Sequence, residues 1–319
     1  MSEKVVFVNV EEKDAGARLD RWFKRYYPAL THGMLEKMLR CKNVRVNGIK
    51  AKSDLRLNAG DEIRIPPLSV EQLENNNKNN LSEADVKFVQ SLIIYKDKDI
   101  IVLNKPAGLA VQGGTKTTRH IDALSEGLKF GGEKPRLVHR LDKQTSGVLV
   151  LARNVKSAAL LAKAFESKQA RKIYWAIVHG CPKTMNGYIE APLLKKSGKN
   201  GGELMQVDEN GQYAKSLYEV IDTNGQFSLL RLMPLTGRTH QLRVHCAHIG
   251  CPIVGDEKYG GFFADGLEKQ MFLHAKALKI PLLDGKFLKI NAIIPNYMKK
   301  SFAFLKFSVK NKEEDFDSF

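Results

Sequence analysis

Two short stretches of this chain gather residue types that can do chemistry. Residues 139–147, HRLDKQTSG, set one carboxylate, Asp142, between Arg140 and Lys143 on a polar loop that runs into an apolar strand. Residues 235–250, LTGRTHQLRVHCAHIG, carry Arg238, His240, Gln241, Arg243 and His245. A carboxylate can serve as nucleophile or base, and an arginine fork can orient it or hold a phosphate. A lone aspartate beside an arginine is most often a structural ion pair or a loop cap. The second basic stretch is what makes Asp142 a candidate. Thr236-Gly237 reads as a turn into a helix whose first amides suit a phosphate.

Other chemistries lose ground. The chain has no phosphate-binding G-x-x-x-x-G-K-[ST], no G-x-G-x-x-G after a strand, and no G-x-S-x-G elbow. No three acids stand together at strand ends as a two-metal nuclease requires. His245, Cys246, His248 and Cys251 imitate a zinc site, but structural zinc joins knuckles from distant segments, and no second pair exists. These four read as packing residues on a helix, with no metal expected. With Cys41 and Cys181 remote, the four cysteines are no disulfide framework.

The elements that must hold these stretches are mostly strands. IIYKDKDIIVLNKPAGLAV has two β-rich runs around a polar turn, Gly147–Ala152 is a strong strand, and RKIYWAIVHG is another. Ser157–Ser167 has the spacing of an amphipathic helix, and Asp284-Gly285 marks a hairpin. Strands outnumber helices without βαβ alternation, so the expected class is α+β with a mixed, largely antiparallel sheet. Ahead of it lies a small α+β module. Leu19, Trp22, Phe23 and Tyr26 recur at helical spacing, Thr31 caps a second helix, Asn47-Gly48 turns a hairpin, and EIRIPP closes it. The expected division is 17–66 for the module, 67–87 for a polar, Asn-rich flexible linker, 88–305 for the large domain and 306–319 for a charged tail.

Charge points to the partner. Lys and Arg number 51 against 35 Asp and Glu, a formal +16, which suits a polyanion such as nucleic acid. Between Arg18 and Arg64 there are 12 basic and 5 acidic residues, so the small module holds nearly half the excess. A 43% hydrophobic share with 27% charged residues fits a globular, soluble chain. No run of about 18 apolar residues and no export signal is present, so the expectation is a cytoplasmic protein off the membrane.

The motifs also carry two family resemblances. Arg18-Leu19-Asp20, Met38-Leu39-Arg40, Val46-Asn47-Gly48 and Gly60-Asp61-Glu62-Ile63 resemble the S-four RNA-binding domain. Asn104-Lys105-Pro106-Ala107-Gly108-Leu109, His139-Arg140-Leu141-Asp142 with Thr145-Ser146-Gly147, and the run from Thr236 to His245 resemble the RluA/RluC family of pseudouridine synthases, over almost the whole chain. That resemblance implies uridine-to-pseudouridine isomerisation in RNA, most naturally large-subunit ribosomal RNA. It implies Asp142 as the catalytic aspartate, Arg243 as its partner and Tyr174 as the tyrosine stacking on the uracil. Arg140 is implied to enter the RNA where the target base is flipped out. Lys105, His139, Arg238 and His240, with Arg18, Arg21, Arg40 and Arg45 of the module, are expected to bind RNA. An isomerisation calls for no cofactor. Whether Asp142 attacks C1′ or removes a C2′ proton stays open. A transfer-RNA target, a non-catalytic ribosome-assembly factor, and an RNA glycosylase or nuclease are the alternatives, and a monomer is expected.

Overall fold

The computed structural model describes residues 5–28, 30–68, 81–113, 117–197 and 203–309, with Glu314 and Phe316. The chain divides into two units, Met1–Asn80 and Leu81–Phe319. Residues 69–80, most of the expected linker, lie outside the described residues.

The first unit is a four-stranded antiparallel sheet with two helices. Strands β1 (Val6–Asn9), β2 (Arg45–Val46), β3 (Ile49–Lys50) and β4 (Glu62–Ile65) run in the order β1-β4-β2-β3. Helix α1 (Leu19–Tyr26) buries Leu19, Trp22 and Phe23, and α2 (His32–Arg40) buries Leu35 and Leu39. Thr31 Oγ1 accepts the Met34 amide and so caps α2. The unit starts ahead of residue 17: β1 pairs with β4 along its whole length, from Val6 opposite Ile65 to Asn9 opposite Glu62. Asp14, also ahead of that boundary, is buried and accepts from Arg25 and Tyr26 of α1.

The second unit also starts earlier than expected. Helix α3 (Glu83–Ser91) is capped by Ser82, whose Oγ accepts the Asp85 amide at 3.1 Å. It buries Val89 in the large unit, so residues 82–87 are helix and not linker. The remaining helices are α4 (Ile121–Leu124), α5 (Val155–Glu166), α6 (Gln241–His248) and α7 (Asn296–Phe304).

A ten-stranded sheet carries this unit. Its strands are β5 (Ile93–Lys96), β6 (Ile100–Lys105), β7 (Arg136–Leu137), β8 (Ser146–Ala152), β9 (Arg171–His179) and β10 (Asn186–Glu190), continuing after a separate hairpin, β11 (Leu193–Ser197) and β12 (Glu203–Val207), with β13 (Lys215–Thr223), β14 (Phe227–Pro234), β15 (Leu273–Pro281) and β16 (Phe287–Asn291). The order is β10-β13-β14-β9-β15-β8-β6-β5, with β16 on β15 and β7 on β8. The β15–β8 pair is parallel and the other described pairs are antiparallel, so the sheet is mixed as its sequence suggested.

Strand β8 is buried at every position because both faces of the sheet are covered there. Leu149 and Leu151 pack with Val89 of α3 on one face, and Val148 and Val150 pack with Leu161 of α5 on the other. The parallel seam is short: His274 opposes Ser146 and Ala275 opposes Gly147. Ala275 also opposes Tyr174 on β9. This seam therefore sets the entry of the 139–147 loop two strand spacings, roughly 10 Å, from the Tyr174 backbone.

The tail expected at 306–319 is docked where it is described. Glu314 accepts from Arg231 Nε at 2.8 Å, Arg171 Nη1 donates to the Phe316 carbonyl at 3.1 Å, and the Phe316 ring is buried beside Phe302 and Phe307. A buried aromatic and a paired carboxylate outweigh the charge of their neighbours.

Gly147 has φ +111°, and a Cβ there would stand 2.2 Å from the Ala275 carbonyl oxygen. Gly147→Ala is expected to cost about 3 kcal/mol, since strain and a backbone clash add. Urea unfolding followed by circular dichroism measures it; a variant as stable as the parent contradicts the seam.

Candidate active site

Asp142 lies at the end of a loop held from below by a lysine. Lys105, the last residue of β6, is fully buried, and its ammonium donates to the carbonyls of Pro106 (2.9 Å), Leu109 (2.8 Å) and Lys143 (3.2 Å). The Gly108 amide adds a bond to the same Lys143 carbonyl. Three carbonyls fill the three protons of an ammonium, so two loops are tied together next to Asp142. Burial pushes Lys105 down to about 7, against the pull of the nearby Asp142 charge. The expectation that Lys105 binds RNA is corrected: its head group is spent on protein carbonyls.

The partner comes from α6. Arg243 gives Nε and Nη2 to the two oxygens of Asp256, both at 2.7 Å, and Nη1 to Asp142 Oδ2 at 3.1 Å. Asp256 is buried, and burial and the two carboxylates act on Arg243 in opposite senses, with a net upward shift. A fork held by two bonds on one side has its third donor fixed in direction. The chain reaches Asp256 through turns that accept only glycine. Gly255 has φ +76°, and a Cβ there would meet the Gln270 carbonyl at 2.0 Å.

Two more groups close on the carboxylate. Tyr174, from β9, lines the same cavity of about 120 Å³ as Asp142, Arg140 and Arg243. Desolvation first, and the Asp142 charge second, push its phenol well above the usual range, so it presents a neutral ring. His240, in the left-handed region at φ +54°, places Nε2 3.7 Å from Asp142 Oδ2 and Nδ1 2.6 Å from the Tyr259 hydroxyl. That hydroxyl also accepts from the Met205 amide at 3.2 Å. Burial lowers His240, which favours the neutral ring, although Asp142 opposes this. His240, expected on RNA, stands against the carboxylate and lines the cavities beside it.

The other expected residues separate into two groups. Arg140 is exposed beside Asp142 and lines cavities on both sides of it. Arg238 is exposed, with Nε on the Tyr213 carbonyl. In the first unit Arg18, Arg21, Arg40 and Arg45 are all exposed, although Arg18 is paired with Asp20 at 2.8 Å. His139 is corrected. Its Nε2 accepts the Val150 amide at 2.9 Å and its ring stacks on Phe165 at 4.5 Å, so it is part of the sheet's support. In the turn before α6, expected to suit a phosphate, Gln241 Oε1 takes the Arg238 amide and the Thr236 hydroxyl. His245 bonds Ser216 and the Ala191 carbonyl, while Cys246 and Cys251 sit in apolar packing. Asp256 and Tyr259 were missed as site residues. Nothing in the spacing of Asp256 tells which arginine it meets.

Among the described residues no helix is long and apolar enough to cross a membrane. A family model described as RNA pseudouridylate synthase matches residues 99–248. The ribosomal large subunit pseudouridine synthase C of Rickettsia conorii is 39% identical over 294 residues, covering 89% of this chain and 96% of that protein. Its Salmonella typhimurium counterpart is 34% identical over 308 residues, with 94% and 95% covered. Among solved structures, human RNA pseudouridylate synthase domain containing 4 superposes with a TM-score of 0.59 at 31% identity, over 69% of this chain and 95% of that one.

Asp256→Asn keeps the shape but removes the charge that aims Arg243. The expected outcome is a fall in kcat of about 100-fold with KM for RNA little changed; a wild-type kcat excludes the positioning role. His139 supplies a pH test. Burial lowers it to about 3, with Lys172 adding to the effect. Below about 6.5 the unfolded chain takes up a proton that the folded chain refuses until about 3, so stability falls as pH falls through that window. His139→Gln should unfold with one proton fewer taken up, read from urea midpoints across that pH range; an unchanged slope contradicts the buried neutral ring.

Proposed function

The chain belongs to the RluA family of pseudouridine synthases, and from this premise we propose that it isomerises uridine to pseudouridine in large-subunit ribosomal RNA. The relatives that span nearly the whole chain carry that substrate in their names. The observation that carries the chemical reading is the Arg243 fork. It turns one carboxylate, Asp142, into an open cavity walled by a neutral aromatic ring.

Pseudouridine formation breaks the N1–C1′ bond of uridine, turns the uracil, and joins C5 to C1′. No oxidation or net hydrolysis occurs, and no cofactor is called for. In this reading Asp142 is the catalytic group, either attacking C1′ or removing the C2′ proton. Arg243 holds Oδ2 in place and leaves the other oxygen to the substrate. Tyr174 offers an apolar face on which the detached uracil stays and rotates. A base stacked in RNA cannot reach Asp142, so the uridine is extruded first, at a cost of a few kcal/mol. The exposed guanidinium of Arg140, beside the cavity, is the group that fills the vacated stack. Around them the excess positive charge holds the RNA backbone, with Arg21, Arg40 and Arg45 of the first unit adding phosphate contacts that orient without reading sequence. The same reading has the enzyme acting as a monomer in the cytoplasm.

The test is to delete the gene and map pseudouridines in ribosomal and transfer RNA by carbodiimide labelling and primer extension. Lost ribosomal sites should return with the wild-type gene and not with Asp142→Asn, whose protein still binds RNA. A map unchanged by the deletion, or restored by Asp142→Asn, overturns the proposal; sites lost only from transfer RNA move the substrate.

A further inference from the structure

Beside the reaction cavity lies a much larger one, of about 870 Å³, that the chemistry above does not use. The two share Lys172, Pro234, Thr236, Gly237 and Arg238, so they adjoin. The lining of the large cavity brings together apolar groups, Phe165, Leu217, Met233, Leu235 and Phe316, and cations, Lys168, Arg171, Lys172 and Arg238, with one carboxylate, Glu166. A cavity of this size, lined by both apolar and basic groups, fits a ligand that has a flat apolar part and an anionic part.

Lys172 stands where the two cavities meet. It is two residues from Tyr174 on β9, so both side chains leave the strand on one face. Its ammonium lies 5.9 Å from the Phe165 ring centre, and the Gly237 backbone passes close to it, with room for no more than a methyl group between. Among the described residues it makes no hydrogen bond and no ion pair. Desolvation lowers it with no acid offsetting the effect. A cation left without a partner in a cleft shared with the reaction site is suited to an anion brought by the substrate.

We propose that the 870 Å³ cavity is a second nucleotide subsite. It receives the nucleotide next to the target uridine, with its base against Phe165 and Met233 and its phosphate toward Lys172. The inference rests on the reading of the chain as an RNA-acting pseudouridine synthase, and it adds how a site is chosen. A target is accepted when a neighbouring base leaves its stack as well as the uridine. The substrate class is therefore a flexible loop or bulge with two adjacent unstacked bases, and not an isolated uridine in a regular helix.

The test uses the full-length protein and short synthetic RNA hairpins, each presenting one loop uridine of large-subunit ribosomal RNA. Each neighbour of that uridine is replaced in turn by an abasic nucleotide. In the wild type, one of these replacements should raise KM by about tenfold, the value of one stacked base, with kcat unchanged. Leu235→Trp, an exposed position on the rim, fills the cavity. It should show the raised KM already, and the same abasic replacement should then cost nothing more. Lys172→Met should lower by about one the slope of log affinity against log salt, as loss of one phosphate contact does. Equal abasic penalties in wild type and Leu235→Trp overturn the subsite, as does an absence of any penalty. Binding of the same hairpins to Asp142→Asn protein separates this inference from the reading beneath it. Abasic sensitivity in binding without pseudouridine formation by the wild type removes the reaction and keeps the subsite. Isomerisation with no abasic sensitivity removes the subsite alone.

Discussion

Arg243 divides its guanidinium between two carboxylates that have different tasks. Asp256, buried, takes two of its N–H groups, and Asp142, at the open cavity, takes one. A carboxylate that reacts must keep an oxygen free for the substrate, so it cannot itself hold its partner in place. The second aspartate removes that conflict by fixing the arginine from behind. Much of the large unit serves this arrangement. Helix α6 delivers Arg243, the Gly255 turn folds the chain back tightly enough to bring Asp256 to it, and Lys105 ties down the loop that carries Asp142.

The sheet fixes the distance across which this pair works. Ala275 on β15 lies between Gly147 on β8 and Tyr174 on β9. One short parallel seam therefore sets both the aspartate loop and the aromatic wall. A rigid strand holds such a spacing better than a loop does, and the buried ladder of β8 resists slippage because each face of it packs into a different cluster. The site is held mainly by buried polar groups that bond within the protein, while Arg140 and Lys172, which form no ion pair among the described residues, line the cavities that open beside it.

The basic residues are of two kinds. Lys105, His139 and His245 spend their polar atoms on the protein and carry structure. Arg140, Lys172 and Arg238 line the cavities, and in the proposed function they and the exposed arginines of the first unit supply the field that attracts RNA. Net charge counts the buried Lys105 and the exposed Arg140 alike and takes the histidines as neutral. The formal +16 therefore indicates a polyanionic partner without showing where it is held.

Local pattern determined much of this molecule. Apolar spacing marked α1 and α2, the turn Asn47-Gly48 marked the β2–β3 hairpin, and the β-rich run after Gly147 marked β8. These are properties of neighbouring residues, which sequence records directly. The motifs also named Asp142, Arg243 and Tyr174, which the fold brings to one cavity. Tertiary structure decided the rest because it depends on partners far apart in the chain. The strand at Val6–Asn9 is too short and too exposed to declare itself, and it is defined by pairing with residues 62–65. Lys105 and His139 have residue types suited to RNA, and only the carbonyls and the amide that surround them show otherwise. Asp256 becomes the anchor of the site through a contact with Arg243 that exists only once the sheet has folded, when burial and geometry, and not residue type, assign each charge its partner.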